Sequence, residues 1–200
     1  MQGLELIFGI TVLVFSVVVH EVSHGYAADS LGDPTARYAG RLTLNPLAHL
    51  DLFGSFLLPL LFFMTTGFVF GYANPVPYNP YNLRHGKWGA ALVAAAGPLS
   101  NFFLAIIFGT VLRVSGSGTS FAEILSLIVL INIVLGVFNL MPVPPLDGSK
   151  VFFALMPFRY NYIEQFMTRY QLFLLFFAII VFWRPIALVI VPGIFRLIVG

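Results

Sequence analysis

Long apolar segments alternate with short polar ones along the whole chain. The clearest apolar segments are Leu4–Ala28, Trp88–Leu112, Phe121–Met141 and a last one that begins near Leu172. Each is long enough to form a helix across the hydrocarbon core of a membrane, which takes about 20 residues. The pattern therefore predicts an all-α polytopic membrane protein.

Two apolar stretches are interrupted. Residues 52–70 contain two glycines and a proline, so this stretch either spans the membrane once or enters it and returns. Arg184-Pro185 and Pro192 interrupt the last segment and leave its end open. We therefore predict a bundle of four to six transmembrane or re-entrant helices.

Two polar segments favour extended backbone. Arg41-Leu42-Thr43-Leu44 alternates polar and apolar side chains, as a short strand does. Residues 75–80 include three prolines, which remove N–H donors and exclude a helix. We expect small β-strand insertions at these places.

The composition agrees with a membrane protein. The chain is 59% hydrophobic and 9% charged, whereas soluble domains carry about 25% charged residues. The bilayer is the predicted environment, and a net charge of +2 is too small to indicate nucleic acid. We find neither a basic leader nor a cleavage site, so the first segment is predicted to be a retained helix. Residues 1–200 are predicted to form a single membrane-embedded domain.

Candidate chemistry lies in the first apolar segment, at His20-Glu21-Val22-Ser23-His24. On a helix, His20 and His24 share one face and are close enough to bind one metal ion. Glu21 is placed one residue round, where it would act on a water at the metal. The alternative is that both histidines are hydrogen-bonded inside the bundle without a metal. Because ionisable groups at membrane depth are costly, we favour a functional site.

A third ligand must come from elsewhere, and the chain has no cysteine to supply it. Asp147 follows a proline-rich break between two apolar segments, whereas the other acidic residues lie in loops or near predicted membrane edges. The alternative role for Asp147 is to cap the helix that follows. Asn101 is the polar exception in its apolar segment, and it is either functional or a hydrogen-bonding contact between helices.

The motifs in this order resemble the site-2 protease family of intramembrane zinc metalloproteases. The resemblance rests on the His-Glu-His motif together with Gly97-Pro98-Leu99-Ser100-Asn101, the run from Asn139 to Gly148 that contains Pro-Val-Pro-Pro-Leu-Asp, and residues 40–46. It extends over roughly residues 8–160. The chain is most similar to the short bacterial branch, which has no inserted PDZ domain.

The resemblance implies a mechanism and a set of site residues. His20, His24 and Asp147 would bind one Zn²⁺ per chain, and Glu21 would be the general base. Asn101 would stabilise the oxyanion or hold the substrate strand, and Asn139 would orient a ligand or the substrate.

The resemblance also implies the substrates, which are transmembrane helices of other membrane proteins cleaved in regulated intramembrane proteolysis. Such a helix must unwind before cleavage, and the extended segments 41–44 and 74–78 would pair with it by strand addition.

Basic residues cluster in segments 29–51, 71–87 and 149–170, which the positive-inside rule places in the cytoplasm. The active site would then lie nearer the cytoplasmic side, and the short architecture indicates a bacterial inner membrane.

Two alternatives stay open: a metal-binding membrane transporter, and a non-catalytic protease homologue that binds helices. Glu21 distinguishes a protease from a transporter, because a transporter needs the metal ligands and not a general base beside them.

Overall fold

The computed structural model describes residues 2–49, 74–115 and 118–200. Seven helices in these ranges are numbered here in chain order: α1 Gln2–Ser30, α2 Thr35–Tyr38, α3 Lys87–Ser115, α4 Ser120–Asn139, α5 Asp147–Leu155, α6 Asn161–Arg169 and α7 Gln171–Val199. Short 3-10 turns occur at Pro46–Ala48, Pro80–Asn82 and Phe158–Tyr160. The interrupted stretch 52–70 lies outside the described residues.

Four helices are long and apolar enough to cross a membrane: Leu6–Ser30 of α1, then α3, α4 and α7. The prediction of an all-α polytopic membrane protein is confirmed. The small β-strands are not found among the described residues. Arg41–Leu44 forms neither helix nor strand, and the carbonyl oxygen of Thr43 accepts a hydrogen bond from the His49 ring (Nε2–O distance 2.8 Å).

Helix α3 lies at the centre of the bundle and packs against α1, α4 and α5. A buried apolar cluster forms where α3, α4 and α7 meet, and it includes Ala105, Val129, Ile133 and Val191. The outer faces of these helices expose large apolar side chains, including Phe103 and Phe173. An apolar exterior around a packed interior is the arrangement that a bilayer stabilises.

Helix α1 ends at a glycine. Gly32 adopts a left-handed backbone with φ of 103°, which costs glycine little. The N–H of Asp33 then bonds back to the carbonyl oxygen of Ala28 at 2.9 Å. This ending turns the chain and places the Asp33 side chain beside the end of α1.

The connection between α4 and α5 is fixed by two apolar side chains. Met141 and Leu146 flank the prolines of this turn and pack against Leu175 and Ala178 of α7. Because Leu146 is buried, the next residue, Asp147, begins α5 in a fixed position. The proline-broken turn predicted from the sequence therefore delivers its carboxylate to the bundle interior.

Helix α7 continues through both prolines that left its end open. A π-helical segment, Ile179–Trp183, precedes Pro185. Proline lacks an N–H, and its ring collides with the carbonyl four residues earlier in a regular α-helix. The wider π turn relieves that collision at Pro185. The helix also passes Pro192 and continues to Val199.

Candidate metal centre

Three ligand atoms converge between α1 and the start of α5. Nε2 of His20 lies 3.1 Å from Oδ2 of Asp147, and Nε2 of His24 lies 3.2 Å from the same oxygen. The two Nε2 atoms are 3.1 Å apart. One helical turn separates the two histidines, which brings both rings to one face of α1. The result is a nearly equilateral triangle of nitrogen and oxygen atoms.

The other nitrogen of each ring is already engaged. Nδ1 of His24 lies 2.7 Å from the carbonyl oxygen of Val93, which can only accept, so Nδ1 carries the proton. Nδ1 of His20 lies 2.6 Å from Oδ1 of Asn101. In both rings Nε2 is therefore the nitrogen that faces the Asp147 carboxylate. Three nitrogen and oxygen atoms this close must share a proton or a metal ion, because their lone pairs would otherwise repel one another.

The orientation of the Asn101 amide is fixed by its neighbours. Its Nδ2 donates to Oδ1 of Asn132 at 3.0 Å and to the carbonyl oxygen of Ser16 at 3.3 Å. Asn132 donates in turn to Oγ of Ser16 at 3.0 Å and to the carbonyl oxygen of Ile128 at 2.9 Å. Asn101 and Asn132 are both fully buried. This network joins three helices behind the His20 ring.

Asp147 presents its two oxygens to different partners. Oδ2 faces the two histidines, and Oδ1 lies 4.0 Å from Nζ of Lys150, one turn further along α5. Burial by itself raises the pKa of Asp147, but the facing imidazoles of His20 and His24 lower this pKa by more. The net pKa lies below the ordinary value, and an ionised carboxylate is what a metal ligand must be.

A glycine allows α3 to pass directly beside the histidines. A Cβ atom at Gly97 would lie 2.4 Å from Nε2 of His24 and 2.6 Å from Nε2 of His20. Both distances are far below van der Waals contact. Any side chain at this position would enter the space that the ligand atoms face.

Glu21 lies on α1 beside the triangle and is half-buried. Its Oε2 accepts a hydrogen bond from the backbone N–H of Val76 at 2.9 Å. The carboxylate therefore has one oxygen held by segment 74–79, and Glu21 is not one of the three converging ligands.

The two asparagines have hydrogen-bond partners within the protein. Both ends of the Asn101 amide are engaged inside the protein, by His20 on one side and by Asn132 and Ser16 on the other. Asn139 donates its amide to the carbonyl oxygen of Leu135 at 3.0 Å, within α4. The roles that the resemblance implied for Asn101 and Asn139 stay predictions.

Sequence reasoning missed Asn132, Ser16, Lys150 and the carbonyl oxygen of Val93. Asn132 carried a usable signal, because a polar residue in a long apolar segment indicates a partner at membrane depth. The Val93 carbonyl carried none, since every residue has one and only the packing of α1 on α3 selects it.

The residues fit zinc. A tetrahedral Zn²⁺ with ligand atoms about 2.0 Å away holds those atoms about 3.3 Å apart, close to the separations in the triangle. Two imidazoles and one carboxylate form a three-ligand set of the kind found in catalytic zinc sites, which keep a position for water. The Nδ1 hydrogen bonds supply the outer support that zinc-binding histidines usually have.

Comparison with known proteins agrees with this site. Residues 8–119 and 115–182 match the model of peptidase family M50. YwhC of Bacillus subtilis, named "Putative zinc metalloprotease", is 39% identical over 154 residues, or 72% of this chain and 67% of the relative. Rip2 of Mycolicibacterium smegmatis, with the same description, is 30% identical over 143 residues, 68% of this chain and 52% of the relative. No solved structure matches the chain.

A more distant relative is MJ0392 of Methanocaldococcus jannaschii, named "Zinc metalloprotease", which is 25% identical over 152 residues. That match covers 76% of this chain and 35% of the relative, so the chain spans only part of this relative's length. The family match covers most of the chain, and the His-His-Asp group supplies ligands for zinc. The chain therefore belongs to peptidase family M50, the site-2 protease family, as a zinc-dependent protease of the membrane.

Proposed function

We propose that this protease hydrolyses peptide bonds within the transmembrane helices of other membrane proteins, as a single membrane-embedded domain. His20, His24 and Asp147 would be its zinc ligands and Glu21 its general base. The observation that carries the proposal is the triangle of Nε2, Nε2 and Oδ2 atoms, with Glu21 directly after His20 on the same turn of α1. A carboxylate that is not a ligand beside such a group is suited to proton transfer.

Bound zinc supplies Lewis acidity, which lowers the pKa of a water to about 7 and polarises the scissile carbonyl. Glu21 takes one proton from the attacking water as the oxygen bonds to the carbonyl carbon. It delivers that proton to the amide nitrogen as the carbon–nitrogen bond breaks. The hydrogen bond from Val76 leaves the second oxygen of Glu21 for this transfer.

Asn101 is assigned a positioning role in this proposal. Its Oδ1 holds the protonated Nδ1 of His20, and its amide is held by Asn132 and Ser16. A fixed ring presents its Nε2 lone pair in one direction, which favours metal binding. The support is the short 2.6 Å contact in a fully buried environment.

The substrate would pair with Arg41–Leu44 once it is unwound. This segment is not helical and lies against α1, since Leu42 is 2.6 Å from the point that a Cβ atom at Gly25, the residue after His24, would occupy. Segment 74–79 is less suited to pairing. Two of its residues are prolines, and the N–H groups of Asn74 and Val76 donate to His49 and Glu21.

Strand pairing has its own test. Thr43→Pro removes one N–H from the proposed edge and should lower cleavage while leaving the zinc content unchanged. Thr43→Val is the matched control, because it removes the hydroxyl and keeps the N–H. Equal cleavage by the two variants would exclude pairing at Thr43.

The site would lie nearer the cytoplasmic side of a bacterial inner membrane, where it would act in regulated proteolysis. The support is the basic residues that follow the site end of α1, including Arg37, Arg41 and Arg84. Because the chain has no cysteine, a single Arg37→Cys change allows a direct test with an impermeant thiol reagent. Labelling in inverted membrane vesicles and not in intact cells is expected.

The central experiment compares the wild-type protein with Glu21→Gln in detergent. Both should bind about one zinc, and only the wild type should cleave a transmembrane peptide. If the wild-type protein holds zinc but cleaves no peptide from a broad set of transmembrane sequences, the proposed function is wrong. If it holds no zinc, the ligand assignment is wrong as well.

A further inference from the structure

A second buried carboxylate, outside the metal centre, holds the segment that contacts Glu21. Asp33 is 0% exposed. Its Oδ1 accepts hydrogen bonds from Oγ1 of Thr35 at 2.6 Å and from Nδ2 of Asn82 at 2.9 Å. Its Oδ2 accepts from the backbone N–H of Asn79 at 2.6 Å. A buried charge needs such partners, and here they join the end of α1 to the 79–82 turn.

Two further contacts fix the same turn to α1. The N–H of Arg84 donates to the carbonyl oxygen of Leu31 at 2.8 Å. Leu83 is buried in an apolar cluster with Ala28 of α1 and Val93 of α3. The chain at 79–84 is therefore held at a defined position beside the loop that contains Asp33.

Residues 76–79 form neither helix nor strand, and they connect the anchored turn to Val76. The Val76 side chain is buried and lies 2.9 Å from the point that a Cβ atom would occupy if residue 25 were not glycine. Only a glycine at position 25 therefore allows this approach. Pro75 and Pro77 have no N–H, which makes Val76 the one backbone donor among these three residues. That donor bonds to Oε2 of Glu21 at 2.9 Å.

We propose that Asp33 is a positioning residue for the general base. It anchors Asn79, three residues from Val76, and thereby sets where the Val76 N–H meets the Glu21 carboxylate. A hydrogen bond to a charged carboxylate is short and directional, so it fixes which way the other oxygen of Glu21 points. The inference rests on the proposed function insofar as Glu21 is the base of the reaction.

The first test is kinetic and uses Asp33→Asn, Val76→Pro and the double variant. Asparagine is close in shape to aspartate but cannot accept hydrogen bonds on both sides of its head group. Proline at 76 removes the N–H, and the backbone there is already extended because Pro77 follows. Each variant should lower kcat by about tenfold to a hundredfold. KM and the zinc content should not change.

The double variant decides whether the two residues act together. If Asp33 acts through the Val76 N–H, the double variant should be no slower than the slower single variant. If the two losses multiply, or if Asp33→Asn changes KM and not kcat, the proposal is overturned. Val76→Ala keeps the N–H and should retain more activity than Val76→Pro.

A rescue separates positioning from general damage to the fold. The exchanged pair Asp33→Asn with Asn82→Asp restores one acceptor and one donor between positions 33 and 82. It should recover part of the kcat that Asp33→Asn loses. No recovery, with both proteins folded and zinc-bound, argues that charge at position 33 and not the anchored turn is what matters, which contradicts the proposal.

A final measurement does not depend on cleavage. In hydrogen–deuterium exchange, Val76 contributes the single backbone amide between Pro75 and Pro77, so its protection can be assigned. Protection should fall in both Glu21→Ala and Asp33→Asn. If the wild type cleaves but Asp33→Asn leaves this protection intact, the positioning role of Asp33 is wrong and the proposed function stands. If the wild type with zinc cleaves nothing while both variants lose protection, the proposed function fails and the anchoring stands.

Discussion

Nδ1 of His24 donates to the carbonyl oxygen of Val93 at 2.7 Å, so a backbone atom of α3 orients a ring on α1. His20 is oriented by a side chain instead, through Oδ1 of Asn101. The two histidines therefore respond differently to mutation. No side-chain change at position 93 removes the acceptor of His24, whereas one substitution removes that of His20.

Asn101→Leu should lower zinc affinity about 10- to 100-fold, because it leaves the His20 ring without its acceptor. Titration against a competing chelator measures this change. Asn101→Asp keeps an acceptor and should lose less. The opposite result, unchanged zinc affinity with cleavage about 10²–10³-fold slower, would instead place the amide on the oxyanion.

Gly97→Ala should abolish zinc binding and cleavage together, since the added methyl group would lie 2.4 Å and 2.6 Å from the two Nε2 atoms. Metal analysis of the purified protein checks this directly. Gly193→Ala is the matched control, because a Cβ there meets nothing within 4 Å. A Gly97→Ala protein that retains zinc would mean that α3 does not pass as close to the ligands as described.

Removal of zinc should lower the melting temperature, because the metal binds only the folded ligand set. A free concentration of 100 times the Kd corresponds to about 2.7 kcal/mol of stabilisation. Thermal unfolding in detergent with and without a chelator measures the difference. Asp147→Asn should unfold at the same temperature in both conditions. A chelator effect of equal size in that variant would show that the metal binds elsewhere.

The Asp33 anchor should make stability depend on pH in the acidic range. Burial by itself raises the pKa of Asp33, but hydrogen bonds from Thr35, Asn82 and Asn79 bring it below its ordinary value of 3.8. Well above pH 3.8 the ionised Asp33 carboxylate therefore makes its full contribution to the free energy of unfolding. That contribution is lost as the pH falls through the lower pKa that Asp33 has in the folded protein. The melting temperatures of wild type and Asp33→Asn should therefore differ by a constant amount above about pH 5 and converge as the pH falls below about 4. A difference that stays constant below about pH 4 would contradict this.

Sequence predicted the spans well because hydrophobic length alone defines them. The third predicted span, Phe121–Met141, corresponds to α4 at Ser120–Asn139, and its ends differ by one or two residues. The sequence also identified His20, His24 and Asp147 as candidates, since ionisable residues within or between apolar segments are few. The structure brings these three together, although 123 residues separate the last two in the chain.

What sequence missed depends on packing between distant segments. Asn132 and Ser16 are ordinary polar residues until α1, α3 and α4 pack around Asn101. Alternation at Arg41–Leu44 describes only one strand, and a ladder needs a second one, which the described residues do not contain. The π segment before Pro185 was not predicted either, since hydrophobicity does not distinguish one helical pitch from another.

The hydrogen bonds that orient both histidines cross from α1 to α3. A displacement of about 1 Å between these helices would break both, because hydrogen bonds weaken steeply with distance. The interface between α1 and α3 must then stay packed throughout the catalytic cycle if both histidines are to remain oriented toward the zinc. Under the proposed function, a substrate would then enter without separating α1 from α3, as from the side of α1 where Leu42 and Val76 lie against Gly25.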